Sequence, residues 1–212
     1  MTKIAIFPIP DCVNFPGSVM PLHVFEPRYR DMVNYCLEHN VLLAVCHTQK
    51  VVKAVESKPN LDEALCSNQS TYKPYPVFSA GHCELLKTTD DGRMVLNVHM
   101  QHRYQLLHEV QSLPFIIAEC EQVKDEAIEP QAQVKAKQTQ EKILMRLLAL
   151  THAHQELQTR LKSDEWQLKS PEAFSFDVLG IMQFSPDDMQ QLLEMSRPQQ
   201  RLDEILVLMN NN

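Results

Sequence analysis

The feature that most constrains this fold is a change of pattern near residue 123 of the 212-residue chain. Before it, short runs rich in β-branched and aromatic residues recur between turn signals, a pattern typical of strands. These runs read KIAIFPI, VLLAVCHT, YPVFSAGHCELLK, RMVLNVHM, RYQLLHEV and FIIAECEQV. After it, apolar residues recur at helical spacing. The pattern predicts an α+β chain, with a β-rich subdomain over residues 1–123 and a helical bundle over residues 131–212, joined by a charged linker.

The strand-like runs favour a closed or nearly closed antiparallel sheet. Within RMVLNVHM, every second residue is apolar and the residues between are more polar, which is the period of a strand with one wetter face. The apolar positions are Met94, Leu96, Val98 and Met100. Asp91-Gly92, just before this run, suits a tight hairpin turn with positive φ, so we expect the preceding strand to pair with it.

The segment EPRYRDMVNYCLEHN predicts one helix among the strands. Pro27 suits its first turn and Asn40 suits its end. One apolar stripe along it comprises Tyr29, Met32, Val33, Cys36 and Leu37. The residues expected to face outward are Arg28, Arg30, Asp31, Asn34 and Glu38.

The C-terminal third predicts helices from its apolar spacing and its caps. Residues 134 to about 161 predict a long helix with a weak middle near THAHQ. Ser170, Ser185 and Ser196 each stand shortly before a proline and an acid or glutamine, so each serine is predicted as an N-cap.

Composition excludes several classes of function. The four glycines form no phosphate-binding loop, and no nucleophile elbow is present. The net charge of −7, without a basic block, disfavours nucleic acid as a partner. No run is long enough to span a membrane, and the N-terminus does not read as a secretory signal, so we expect a cytoplasmic protein. The six cysteines have no metal-binding or redox spacing and are predicted to be reduced thiols.

Histidines give no strong prediction of a metal site. His152 and His154 lie two apart on a predicted helix and point to different sides, so they are interpreted as solvated residues. His99 and His102 flank a predicted turn, where His82 or Cys83 would be needed as a further ligand, and the spacing does not demand one. We expect no metal and no cofactor.

The stretch FPGSVMPLHVFEPRYR, residues 15–30, leaves two interpretations open. Glu26, Arg28 and Asp31 are compatible with acid–base chemistry in a catalytic loop. The alternative is a stiff structural corner, in which these charges form ion pairs and caps at a helix start. The second interpretation is favoured, because prolines at turns and at the first helical residue restrict the backbone.

The segment FPIPDCVNFPGSVMPLHVFEPRYRDMV resembles the N-terminal signature of the Lon substrate-binding domain family. The resemblance includes the leading Phe7-Pro8-Ile9-Pro10, and the later segments DGRMVLNVHMQHRYQLL and SPDDMQQLLEMSRPQQRLDEILVLM agree more loosely. The other residues that carry it, taken as a structural motif, are Phe15, Pro16, Gly17, Pro21, Leu22, Phe25, Glu26, Pro27, Arg28 and Tyr29.

The resemblance implies a PUA-like antiparallel β pseudobarrel followed by helices, in a free-standing bacterial-type member of the family. It implies a non-catalytic module that binds unfolded or tagged polypeptide, with a protease or chaperone as a further partner. No catalytic residue is expected, since the ATPase and Ser-Lys protease of Lon lie in later domains. Two alternatives stay open: a Lon-related peptidase component, and a PUA-like RNA-binding protein.

A polar stretch over residues 49–76 predicts an excursion from the sheet, and it ends in an aromatic cluster. Tyr72, Tyr75 and Phe78 are candidate peptide-binding residues, because rings on a loop supply apolar contact area. The competing interpretation is that these rings clamp the loop onto the barrel.

Overall fold

A computed structural model describes residues 1–53 and 71–211 of the chain. The chain divides into two compact units, Met1–Val123 and Lys124–Asn212. Within the described residues, every helix is too short or too polar to cross a membrane.

The first unit is built on a sheet that closes on itself. Its strands are β1 (Thr2–Pro8), β2 (Val19–Val24), β3 (Leu42–Cys46), β4 (Thr48–Lys53), β5 (Thr71–Pro74), β6 (Val77–Thr88), β7 (Met94–Gln111) and β8 (Ile116–Val123). The order is β2-β7-β6-β3-β1-β8, and a further pairing of β8 with β7 closes the ring. The long strand β7 makes this closure, because its first half pairs with β2 and its second half with β8. The predicted closed sheet is confirmed.

One strand pair departs from the predicted antiparallel arrangement. β1 and β3 run parallel, from Ile4 opposite Leu42 to Pro8 opposite Cys46. A parallel pair needs a crossover connection, and here β2 and the helix α1 (Pro27–His39) supply it. The sheet is therefore mixed, and the α+β class is confirmed.

The hairpin between β6 and β7 forms as predicted. Gly92 has a φ of 80°, which its missing side chain permits, and Thr89 N–H donates to the Arg93 carbonyl at 2.8 Å across the turn. The alternating apolar residues of β7 all point into the core, and they are Met94, Leu96, Val98 and Met100.

Helix α1 begins at Pro27 and is followed by Asn40 in the left-handed conformation, as predicted. The predicted burial or exposure is wrong for two residues of this helix. Leu37 is 38% exposed, so the apolar stripe ends at Cys36. Arg28 is buried rather than outward-facing, because its guanidinium lies over the Tyr29 ring and bonds to Glu26.

The predicted excursion carries two short strands. β4 and β5 pair as an antiparallel two-stranded sheet, with Val51 opposite Tyr72. Residues 54–70, which include Cys66, lie outside the described part of the chain.

The second unit is helical. Its helices are α2 (Pro130–Leu150), α3 (Gln155–Leu161), α4 (Asp164–Gln167), α5 (Pro171–Asp177), a 3₁₀ turn (Val178–Gly180), α6 (Pro186–Glu194) and α7 (Pro198–Asn211). The predicted long helix breaks between Leu150 and Gln155, at the THAHQ segment. Ser170 and Ser185 accept N-terminal N–H groups as predicted caps. The Ser196 prediction is wrong: the helix starts two residues later, and the Ser196 hydroxyl donates to Glu126.

A buried arginine organises the second unit. Arg201 is completely enclosed, and its Nη2 bonds to Asp125 at 2.6 Å. Its Nε donates to the Ser175 hydroxyl at 2.9 Å and its Nη1 to the Met195 carbonyl at 2.7 Å. The Phe176 ring covers the guanidinium at 3.6 Å. This arginine connects the segment before α2 to α5 and α7.

Candidate functional site

A cavity of about 250 Å³ lies in the first unit where β1 ends and α1 begins. We call it the β1–α1 pocket. Four elements line it: the end of β1, the end of β2, the first turn of α1, and β5. The lining residues are Phe7, Pro8, Ile9, Pro10, Leu22, His23, Phe25, Glu26, Arg28, Tyr29 and Tyr72.

The proline- and glycine-rich segment fixes the backbone that leads into the pocket. Phe15 is buried, and Pro16 and Gly17 form a tight turn, with Gly17 at a φ of 85° and Ser18 N–H donating to the Phe15 carbonyl at 3.1 Å. Pro21 lies in β2, an edge strand that pairs with β7. An edge strand tolerates a proline, which has no backbone N–H to donate. Pro27 then sets the first helical residue.

The wall of the pocket is mainly apolar and aromatic. The Phe7 and Tyr29 rings pack with their centroids 4.0 Å apart. Phe25 is half-buried, and the His23 ring meets it edge-on at 6.4 Å. Ile9 adds a half-buried aliphatic side chain. Such a wall suits an apolar group that loses contact with water on binding.

A buried ion pair forms the polar part of the pocket. Arg28 Nε and Nη2 both donate to Glu26 Oε2, at 3.1 and 3.0 Å, and the two side chains are 9% and 10% exposed. The Arg28 guanidinium lies 4.5 Å from the centre of the Tyr29 ring. Burial raises the pKa of Tyr29 to about 12, so its hydroxyl is neutral at physiological pH. Arg28 and Tyr29 also line a second, smaller cavity of about 30 Å³.

The three predicted peptide-binding residues are not brought together. Tyr72 lines the β1–α1 pocket. The Tyr75 ring stacks on His47, with centroids 5.0 Å apart and planes at 14°, and its N–H donates to the His47 carbonyl. Phe78 is 1% exposed and belongs to the barrel core. Tyr72 thus lines the same pocket as residues of the segment 15–30, a proximity that local sequence reasoning missed.

Sequence reasoning also missed two other residues that shape the site. His23 lines the pocket from β2, and His47 is buried with Nδ1 accepting the Asp11 N–H at 2.9 Å. That bond holds Asp11, which has a φ of 59°, in the connection that follows β1. Neither histidine has a local motif, so the only available signal was their position beside apolar strand residues.

The described residues include no cluster of three or more His, Cys, Asp or Glu side chains placed to hold a metal ion. His99 pairs with Glu84 at 2.8 Å on the exposed surface. The His152 ring lies 3.1 Å from the Ala149 carbonyl at the end of α2. Among the described residues that line the pocket, the one carboxylate is Glu26, which is bonded to Arg28.

The comparisons with known proteins agree with this architecture. The family described as the ATP-dependent protease La (LON) substrate-binding domain matches residues 3–211. The Lon N-terminal domain protein from Xanthomonas campestris has a TM-score of 0.64 at 19% identity, over 98% of each chain. The N-terminal domain of the Mycobacterium avium complex Lon protease has a TM-score of 0.69 at 15% identity, over 100% of each chain. No curated protein sequence matches the chain. The fold is the α+β fold of these Lon N-terminal domains, a closed mixed sheet followed by helices.

Proposed function

Because the chain belongs to the Lon substrate-binding domain family, we propose that it recognises polypeptide substrates, and that the β1–α1 pocket receives them. One observation carries the choice of site: a cavity lined by aromatic and aliphatic side chains lies where the rigid proline-rich segment meets α1. An unfolded polypeptide differs from a folded one by the apolar side chains that it exposes. A mainly apolar pocket on rigid elements can bind such a side chain at small entropic cost.

The size of the pocket supports a side chain as its occupant. Pockets for cofactors and drug-sized ligands typically measure roughly 300–1,000 Å³. At about 250 Å³, the β1–α1 pocket is smaller and suits one large apolar side chain of a client. The neutral Tyr29 hydroxyl and the internally paired Glu26 and Arg28 leave the pocket without an uncompensated charge.

Tyr72 is the aromatic residue for which we propose direct contact with the client. It is half-buried at the pocket wall, so its ring can cover the bound side chain while its hydroxyl stays near water. Tyr75 and Phe78 make no contact with the client in this proposal, since one stacks on His47 and the other is buried in the barrel.

We further propose a role accessory to proteolysis or protein quality control in the cytoplasm. In that role the module holds a client and a partner protease or chaperone acts on it. The family description, which places such domains with a protease, supports this role.

The test is fluorescence anisotropy with a labelled, reduced and carboxymethylated protein that cannot fold. We expect Tyr72→Ala to raise Kd about fivefold or more, the size of a moderate hot spot. Tyr75→Ala is the matched control, the same substitution on the same segment outside the pocket lining, and we expect a change below about twofold.

Two results would count against the proposal in different ways. Wild-type protein that does not bind the unfolded chain contradicts the function. Wild-type protein that binds, with Tyr72→Ala binding equally well, contradicts the site alone. Melting curves of both variants show whether the comparison is made on folded protein.

A further inference from the structure

Two cysteines from distant parts of the sequence meet in the core of the first unit. Cys36 lies on α1 and is 3% exposed, and Cys83 lies on β6 and is partly exposed. Cys83 packs against the core cluster to which Cys36 belongs, and its sulfur lies within reach of the Cys36 thiol. Neither cysteine lines the β1–α1 pocket.

We propose that Cys36 and Cys83 are an oxidation site, at which hydrogen peroxide converts the two neighbouring thiols into a reversible disulfide. Formation of this disulfide does not require the proposed polypeptide binding. A disulfide here would tie α1 to β6 covalently.

The exposure of the two thiols sets the order of the steps. The hydrogen bond with Cys83 and burial both raise the pKa of the Cys36 thiol, so Cys36 keeps its proton. Cys83 is the member that solvent reaches. Attack on peroxide therefore starts at Cys83, and Cys36 resolves the product.

The chemistry balances with peroxide as the two-electron oxidant. The Cys83 sulfur attacks one peroxide oxygen, an S–O bond forms, the O–O bond breaks, and the leaving hydroxide takes the thiol proton to become water. The Cys36 sulfur then attacks the Cys83 sulfur, the S–O bond breaks, and the departing hydroxide takes the Cys36 proton. Two thiols have become one disulfide, and peroxide has become two waters.

The other described cysteines are engaged differently. Cys12 accepts a hydrogen bond from the Asn14 side chain at 3.5 Å. Cys46 donates to the Phe7 carbonyl at 3.9 Å, and Cys120 donates to the Ala118 carbonyl at 3.7 Å. Their thiols thus point to other partners, which makes them internal controls for the pair.

The disulfide would act on the helix that forms part of the pocket wall. Arg28 and Tyr29 in the first turn of α1 line the β1–α1 pocket, and Tyr29 and Cys36 are buried on the same helix. Cross-linking two positions far apart in the sequence restricts the unfolded chain more than the folded one. Oxidation would therefore stabilise the packing of this helix on the barrel.

The experiment treats the full folded chain with a small excess of hydrogen peroxide, blocks the remaining thiols by alkylation, and maps the digest by mass spectrometry. The experiment uses a Cys66→Ser protein, from which all further variants are made, because Cys66 lies outside the described residues. We expect a mass loss of about 2 Da for two thiols becoming one disulfide. One linked peptide should join Cys36 to Cys83 and disappear on reduction.

Three variants of the Cys66→Ser protein sharpen the result. Cys36→Ser and Cys83→Ser should each abolish the link, and Cys12→Ser should leave it intact. The proposal is overturned if both thiols remain fully alkylatable after peroxide, if Cys83 is oxidised without forming the link, or if either cysteine pairs with another one.

Discussion

Two buried arginines of this chain, Arg28 and Arg201, have different surroundings. In the first unit, Arg28 bonds through two nitrogens to one oxygen of Glu26, and both side chains line a cavity. In the second unit, Arg201 is completely enclosed and bonds to Asp125, Ser175 and the Met195 carbonyl, under the Phe176 ring. A pair beside a cavity can meet a ligand, whereas an enclosed arginine serves packing and orientation.

This difference suggests different roles for the two units. The pocket in the first unit combines rigid backbone, apolar wall and a compensated ion pair, which suits recognition. The second unit uses its buried charge to hold helices, so changes there should affect stability and leave the pocket chemistry intact.

The largest effect is expected from Arg201→Met. Removing the guanidinium leaves Asp125 without its buried partner, and breaking such a pair costs about 3 to 5 kcal/mol of unfolding free energy. Urea denaturation measures this cost, and the double variant Asp125→Asn with Arg201→Met should recover part of it. A cost below about 1 kcal/mol would show that Arg201 does not organise the second unit.

A second prediction concerns alkaline stability and Tyr29. Its pKa is raised to about 12 in the folded state, chiefly by burial, so the unfolded chain loses this proton first as the pH rises from about 10 to 12. The contribution of Tyr29 to the free energy of unfolding is therefore fully present below pH 10. It falls by about 2 to 3 kcal/mol as the pH rises through that window. Tyr29→Phe should remove this part of the decline in chemical denaturation curves. Parallel declines in both proteins would contradict the assignment.

Arg28→Met should have a smaller effect on stability and a clear effect on binding. Because water can partly compensate the remaining Glu26 at a cavity wall, we expect a cost of about 1 to 3 kcal/mol. Loss of the Arg28 charge beside Glu26 should also weaken binding of the unfolded test protein, since an apolar side chain would then approach a carboxylate that has lost this partner. Unchanged affinity of a folded Arg28→Met variant would show that the ion pair does not contribute to binding at this site.

The smallest effects distinguish two serines of the helical unit. Ser170 accepts the Ala173 N–H as an N-cap, so Ser170→Ala should cost about 1 kcal/mol. Ser196 donates to Glu126 on the surface instead, and Ser196→Ala should cost less than about 0.5 kcal/mol. Thermal unfolding of the two variants compares them directly, and both should bind the unfolded protein as the wild type does. Equal costs would contradict the cap assignment.

The features that the sequence predicted well are local ones. Pro27 and Asn40 bound α1, and Asp91-Gly92 sets the β6–β7 hairpin, because their backbone preferences act within a few residues. The alternating apolar residues of β7 likewise reflect one strand facing one core.

The features that were missed depend on contacts between distant residues. The parallel pairing of β1 with β3, the burial of Arg28 and the enclosure of Arg201 are decided by packing that no local pattern records. Gly81 shows the same limit: a Cβ there would lie 1.6 Å from the His99 carbonyl oxygen, so the close approach of β6 and β7 requires glycine. The pocket belongs to this class, since Tyr72 and Phe7 are far apart in sequence and share a wall.

The most direct test of the proposed site is a titration of isotope-labelled protein with a short unfolded peptide that carries one large aromatic side chain, followed by amide chemical shifts in NMR spectra. We expect the perturbed amides to cluster around four residues that line the β1–α1 pocket: Ile9, His23, Phe25 and Tyr72. Saturable shifts confined to the helices of the second unit, or to barrel strands away from this pocket, would contradict it.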